Sequence, residues 1–133
     1  MDSAFLSELD VRVVDDSQGR PRYQLLAAFG FWSREQEREH WVPVGYEFDG
    51  PSIPQVLLWA SGAAPGLRAS CVHDWLITSR SVDRRTADRI FREALHVCGV
   101  EAQLAETMYQ AVRAYSRSLE PVAEHYNPGG NGG

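Results

Sequence analysis

The stretch Asp83–Gly99, DRRTADRIFREALHVCG, decides the fold class. Ala87, Ile90, Phe91, Ala94, Leu95 and Cys98 recur at the spacing of one α-helical face. Asp83 stands where an N-cap carboxylate accepts from first-turn N–H groups, and Gly99 where a C′ glycine closes a helix. A helix over Asp83–Cys98 follows. One residue breaks the apolar stripe. Asp88 is three positions before Phe91 and seven before Leu95, at the edge of the buried face. A bare buried carboxylate is costly, so Asp88 needs a partner. Arg84, four residues earlier on the same face, is one candidate. His73, one helix back, is the other. A carboxylate on one imidazole nitrogen fixes the tautomer and leaves the second nitrogen as base or ligand.

Toward the C-terminus, Leu104, Ala105, Met108, Ala111, Val112 and Tyr115 give a second stripe and predict a helix over Glu101–Leu119. Asn127–Gly133, NPGGNGG, reads as a flexible tail. Toward the N-terminus, Val72, Trp75, Leu76 and Ser79 predict a helix over Leu67–Thr78, preceded by a loop at Ser61–Gly66. His73 and Asp74 lie on this helix. Neighbours diverge by about 100° there, so the two side chains serve adjacent tasks rather than one. Gly45–Pro54, GYEFDGPSIP, changes character, with two Gly, two Pro, Asp49 and Ser52 in ten residues. Loops of this kind on a rigid scaffold often carry function, and Asp oxygens in a turn suit a hard cation. Plain turn and helix capping by Asp49 and Ser52 is the competing reading. Gln55–Ala60 has room for one or two helical turns.

The N-terminal part reads as strands: a short run around Val11 and Val13, a turn at Gln18–Pro21, a longer run over Tyr23–Phe31, and a return at Trp41–Val44. Arg34–His40 reads as a solvated hairpin loop between the last two. Pro43 fits a strand end or an edge. The expected architecture is α+β: a small antiparallel sheet from the first half packed on about three helices from the second. A single domain over residues 1–126 and a tail over 127–133 follow.

Composition bounds the rest. A chain of 133 residues with 44% hydrophobic and 23% charged residues fits one globular domain, able to bury roughly two thirds of its unfolded surface. The net charge of -5 argues against non-specific nucleic-acid binding, although Arg80, Arg84, Arg85 and Arg89 cluster locally at what reads as a solvated helix start. Cys71 and Cys98 lack the spacing of a zinc site or a disulfide framework. They read as buried thiols, with a disulfide between their helices as the alternative. Met1–Leu9 lacks the features of a signal peptide, and no run approaches the ~20 apolar residues of a membrane span. A cytosolic protein, or one packaged from the cytosol, is expected. Trp32, Trp41, Trp59 and Trp75 read as core and sheet-cover residues. His40, His96 and His125 have no evident partners. Ser52 with His73 and an Asp lacks the G-x-S-x-G elbow of a hydrolase triad.

Four runs together, VPVGYEFDGPSIP (42–54), ASCVHDWL (69–76), RRTADRIFREAL (84–95) and MYQAVRAY (108–115), resemble the phage-associated family called domain of unknown function 1353. The resemblance spans Tyr23–Tyr115. It implies a protein of tailed phages or prophages, in the host cytoplasm or the virion, and no established activity. Its recurring polar positions fall on Asp49, Ser52, His73, Asp74, Arg84 and Asp88. The arrangement is also similar to that of small calcium-dependent phospholipases. That similarity would make Asp49 and Asp74 ligands of a divalent cation, His73 the base and Asp88 its orienter. The chain departs from those enzymes. Cys71 stands two rather than three residues before the His, Ile77 replaces an aromatic, and the disulfides and export signal are missing.

Three functions are compatible with these residues. One is a hydrolase of an ester or phosphoester, with catalytic His73 and Asp88, and calcium, magnesium or zinc on Asp49 and Asp74. The second is a phage accessory or virion component whose polar residues form a structural network, with other phage proteins as partners and exposed aromatics such as Trp32 as the contact. The third is a small module that binds or inhibits a host protein.

Overall fold

The computed structural model describes residues 1–15, 22–48 and 64–125. The fold is α+β, and among the described residues six short strands are followed by three helices: β1 (Ala4–Phe5), β2 (Val11–Asp15), β3 (Arg22–Leu25), β4 (Phe29–Ser33), β5 (Arg38–Val42), β6 (Glu47–Phe48), α1 (Ala64–Ser79), α2 (Arg84–Val97) and α3 (Ala102–His125). The strands form two antiparallel three-stranded sheets, β1-β4-β5 and β2-β3-β6, rather than the one expected.

Sheet division follows from a corner. Tyr23–Phe31 does not run as one strand, because Leu26–Ala28 turns the chain out to solvent between buried Leu25 and buried Phe29. Backbone bonds hold the corner, with Leu26 N donating to Asp10 O at 2.7 Å. The hairpin loop is also shorter than Arg34–His40. Ser33 pairs with Arg38, leaving only residues 34–37 in the turn. Arg38 and Glu39 are exposed while His40 is buried, so the charges sit on the strand's solvent positions. β1 had no counterpart in the sequence pattern. Phe5 earns its place by stacking on Phe29 (5.3 Å) and tilting on Phe31 (5.0 Å), beneath the Arg68 guanidinium of α1 at 4.5 Å.

The helices take the expected order. α1 starts before Leu67, absorbing Ala64–Gly66 from the expected loop. Pro65 falls in its first turn, where no backbone donor is required. α2 keeps both expected caps. Asp83 accepts from Thr86 N at 2.8 Å, and at the far end Gly99 N bonds His96 O while Val100 N bonds Leu95 O, the paired closure of a Schellman motif. α3 runs to His125, beyond Leu119 and through Pro121. α2 is central and touches α1, α3, β1 and β4. Phe29, Phe31, Leu76, Phe91, Leu95 and Met108 fill the core between sheets and helices. Cys71 and Cys98 are both free thiols, so the alternative of a disulfide is overturned. Trp41 is 45% exposed and lies over Gly30, its cross-strand partner, where a Cβ would sit 2.7 Å from the ring. Among the described residues no helix is long and apolar enough to cross a membrane.

Candidate functional site

α1 buries Ala69, Val72 and Leu76. His73 is one position past Val72 and so points along the seam with α2, its side chain 13% exposed. From α2, Asp88 follows buried Ala87 into the interior and is 0% exposed. The two meet: His73 Nε2 lies 2.7 Å from Asp88 Oδ1. The His73 ring also tilts on Phe91, one turn beyond Asp88, at 4.8 Å.

The second carboxylate oxygen faces α3. Arg113 Nη1 donates to Asp88 Oδ2 at 2.7 Å, and Ser116 adds a third hydrogen bond. Arg84 is not the carboxylate's own partner. Its Nε donates to Ser116 Oγ at 3.1 Å, so it acts one step away. Asp88 thereby joins all three helices. Burial pushes its carboxyl upward, but the hydrogen bonds from His73, Ser116 and Arg113 outweigh this and hold it below the usual carboxylate range. An ionised Asp88 accepts from His73 Nε2–H, which in the neutral ring places the lone pair on Nδ1.

Asp74 diverges from His73, as helical geometry requires, and turns to the sheet side. Tyr46 OH donates to Asp74 Oδ2 at 2.5 Å and lies 3.1 Å from Thr78 Oγ1. Tyr46 is set by a type II turn, in which Tyr46 N bonds Pro43 O and Gly45 takes φ 89°, a conformation that favours glycine. Its ring packs edge-on against Trp75 at 5.1 Å. Burial and the Asp74 carboxylate both push the Tyr46 phenol up, so it stays a donor. Asp49 and Ser52 lie outside the described residues. Among the described residues no three His, Cys, Asp or Glu side chains group to hold a metal ion.

Arg113, Ser116 and Tyr46 were not singled out from the sequence. Tyr46 and Arg113 lie inside the runs VPVGYEFDGPSIP and MYQAVRAY. The stripe on α3 continues through Ser116, 1% exposed, and Tyr115 instead is 61% exposed. A second polar cluster sits between α2 and the first sheet. Glu93 accepts from Ser3 Oγ, from Ser33 Oγ at 2.8 Å and from Glu35 N at 3.2 Å. His40, buried nearby, has no partner for Nε2 among the described residues. Burial, then Arg38, lower its pKa against a smaller opposing effect of Glu93.

Residues 23–112 match the model of a family described as "Protein of unknown function (DUF1353)". The match contains all six polar positions expected at the site and stops one residue short of Arg113. An "Uncharacterized protein y4jT" of Sinorhizobium fredii (strain NBRC 101917 / NGR234) is 32% identical over 105 residues, which make up 75% of this chain and 30% of that protein. The chain therefore spans less than a third of the length of that relative. No solved structure matches.

Proposed function

The chain belongs to the DUF1353 family, proteins of unknown function, and on that footing we propose that it hydrolyses an ester or phosphoester with His73 as general base. One observation carries the proposal: a fully buried carboxylate is spent on orienting a partly exposed imidazole, at 2.7 Å. His73 Nδ1 takes the proton of an attacking water while the water oxygen bonds to the ester carbon or phosphorus. The leaving oxygen then takes a proton in turn. Asp88 holds the tautomer and balances the charge that develops on the ring. Arg113 and Ser116 keep Asp88 ionised and in place. Asp74, with Asp49, would hold a calcium, magnesium or zinc ion that polarises the scissile bond.

The test is turnover of p-nitrophenyl esters and bis-p-nitrophenyl phosphate, with each of the three cations supplied singly, by wild type and His73→Asn. Wild type should turn over one class, and His73→Asn should lose roughly 10²–10⁴-fold in kcat while its circular dichroism and melting point stay close to wild type. Asp49→Asn should abolish any cation dependence. Absence of turnover in wild type across the panel would sink the hydrolase.

A second reading rests on a different observation. Asp88 receives donors from α1 and α3, and Arg84 braces one of them, so the cluster also works as a three-helix tie. In that reading the protein is a non-catalytic phage accessory or virion component. His73→Asn would then lower the melting point strongly and change no activity. In either case the setting we propose is a phage- or prophage-encoded chain acting in the host cytoplasm or carried in the virion.

A further inference from the structure

The antiparallel pairing of α2 and α3 brings four arginines to one place. Arg84 meets Ser116, Asp88 meets Arg113 and Arg92 meets Glu106, so residue numbers rise on one helix as they fall on the other. On the outer side of this seam, Arg85 and Arg89, one turn apart on α2, face Arg113 and Arg117, one turn apart on α3. The four arginines, with Tyr109 and Gln110, line a cavity of about 300 Å³. Among the described residues no carboxylate belongs to that lining. Glu35 forms an ion pair with Arg89, its carboxylate 3.0 Å from Nε, and Asp88 accepts from Arg113 Nη1 at 2.7 Å. Among the described residues these two anions face two of the four charges, in a chain of net charge -5, and Arg85 and Arg117 are exposed.

Converging guanidinium groups repel one another, and an anion between them relieves that cost. Planar forks from two sides suit the oxygens of a tetrahedral dianion better than the two oxygens of one carboxylate. We propose that the α2–α3 groove binds a phosphate dianion, free or as the terminal group of a small phosphomonoester. The volume leaves room for the phosphate and a small organic group beside Tyr109. Nucleic acid fits less well, because an extended polyanion would meet the acidic remainder of the surface.

The inference goes beyond hydrolysis and does not depend on it, since the readout is binding. Inorganic phosphate and phenyl phosphate are titrated into the full chain by calorimetry and thermal melts, at ionic strength held constant with sodium chloride. A 12-nucleotide single strand serves as the polyanion. The variant is Arg85→Gln with Arg117→Gln, two exposed side chains that bond neither Asp88 nor Glu35. The expected result is a melting point that rises with phosphate concentration in wild type and an affinity at least tenfold weaker in the double variant, whose unliganded melting point is no lower than that of wild type. Tighter binding of phenyl phosphate identifies a monoester as the source, and tighter binding of inorganic phosphate identifies the free ion. No saturable binding, equal affinity in the double variant, or an oligonucleotide that binds more tightly than both phosphates would each overturn the assignment. Retention of phosphate binding in a wild type that hydrolyses nothing would leave the groove standing and remove only the hydrolase.

Discussion

Asp88 is the residue on which both readings of the site turn. A carboxylate with no exposed surface survives only because its charge is met by Arg113 and its lone pairs by His73 and Ser116. Removing it takes a buried carboxylate away from Arg113, itself 3% exposed, and from His73. Asp88→Ala should therefore cost about 3–5 kcal/mol, read as a lower urea midpoint at unchanged slope. The pH dependence has a definite sign. The folded pKa of Asp88 is depressed, so its stabilisation is complete above the unfolded value near 3.9 and is lost as pH falls through the lower folded value. Urea midpoints measured from pH 6 down to pH 2 should fall less steeply in Asp88→Ala than in wild type. Position alone made this residue legible, because a carboxylate at the edge of an apolar stripe demands a partner and His73 was in reach. Arg113 was not legible. An arginine on a helix ordinarily reads as solvated, and Tyr115 is more apolar than Ser116. The buried charge on the neighbouring helix reverses both expectations by drawing in the donors and leaving the ring outside.

At the level of elements, legibility followed the strength of the local code. α2 could be read from cap to cap because its N-cap, apolar period and closing glycine agree. Its Asp83 cap accepts from Thr86 N, and the Thr86 side chain first, then this backbone bond, lower the Asp83 pKa. Asp83→Ala should cost about 1 kcal/mol, within the 0.5–2 range of such caps, seen as a lower melting point with the Asp88 cluster intact. The strands were read less well. Each spans two to five residues, too few for alternation to show, and the corner at Leu26–Ala28 lies inside an apolar run with no Gly or Pro to mark it. β1 exists because of aromatic contacts with β4, which no local pattern announces. Trp41, which reads as a core or sheet-cover residue, covers Gly30 from the solvent side, so its exposure is structural.

In the whole molecule, contacts divide by distance along the chain. The ties among the helices are local, with 15 residues between His73 and Asp88 and 25 between Asp88 and Arg113. The sheet is bound to α2 by Glu93, whose bonds to Ser33 and Ser3 close 60 and 90 residues. No periodicity or spacing links Ser3 to Glu93, so this clasp could not be read from sequence while the helix ties partly could. Its consequence lies in time. Short-range helix contacts form early in folding, and contacts across 60 to 90 residues close late because of the chain entropy they must overcome. Interactions that form after the rate-limiting step govern how fast the native state opens, not how fast it is reached. Glu93→Ala should accelerate unfolding several-fold in stopped-flow denaturant jumps and leave the refolding rate nearly unchanged. Equal effects on both limbs would place the clasp in the folding nucleus. With only the unfolding limb changed, Ser3 and Glu93 act as a latch on the N-terminal strand, setting how long each molecule stays closed between openings.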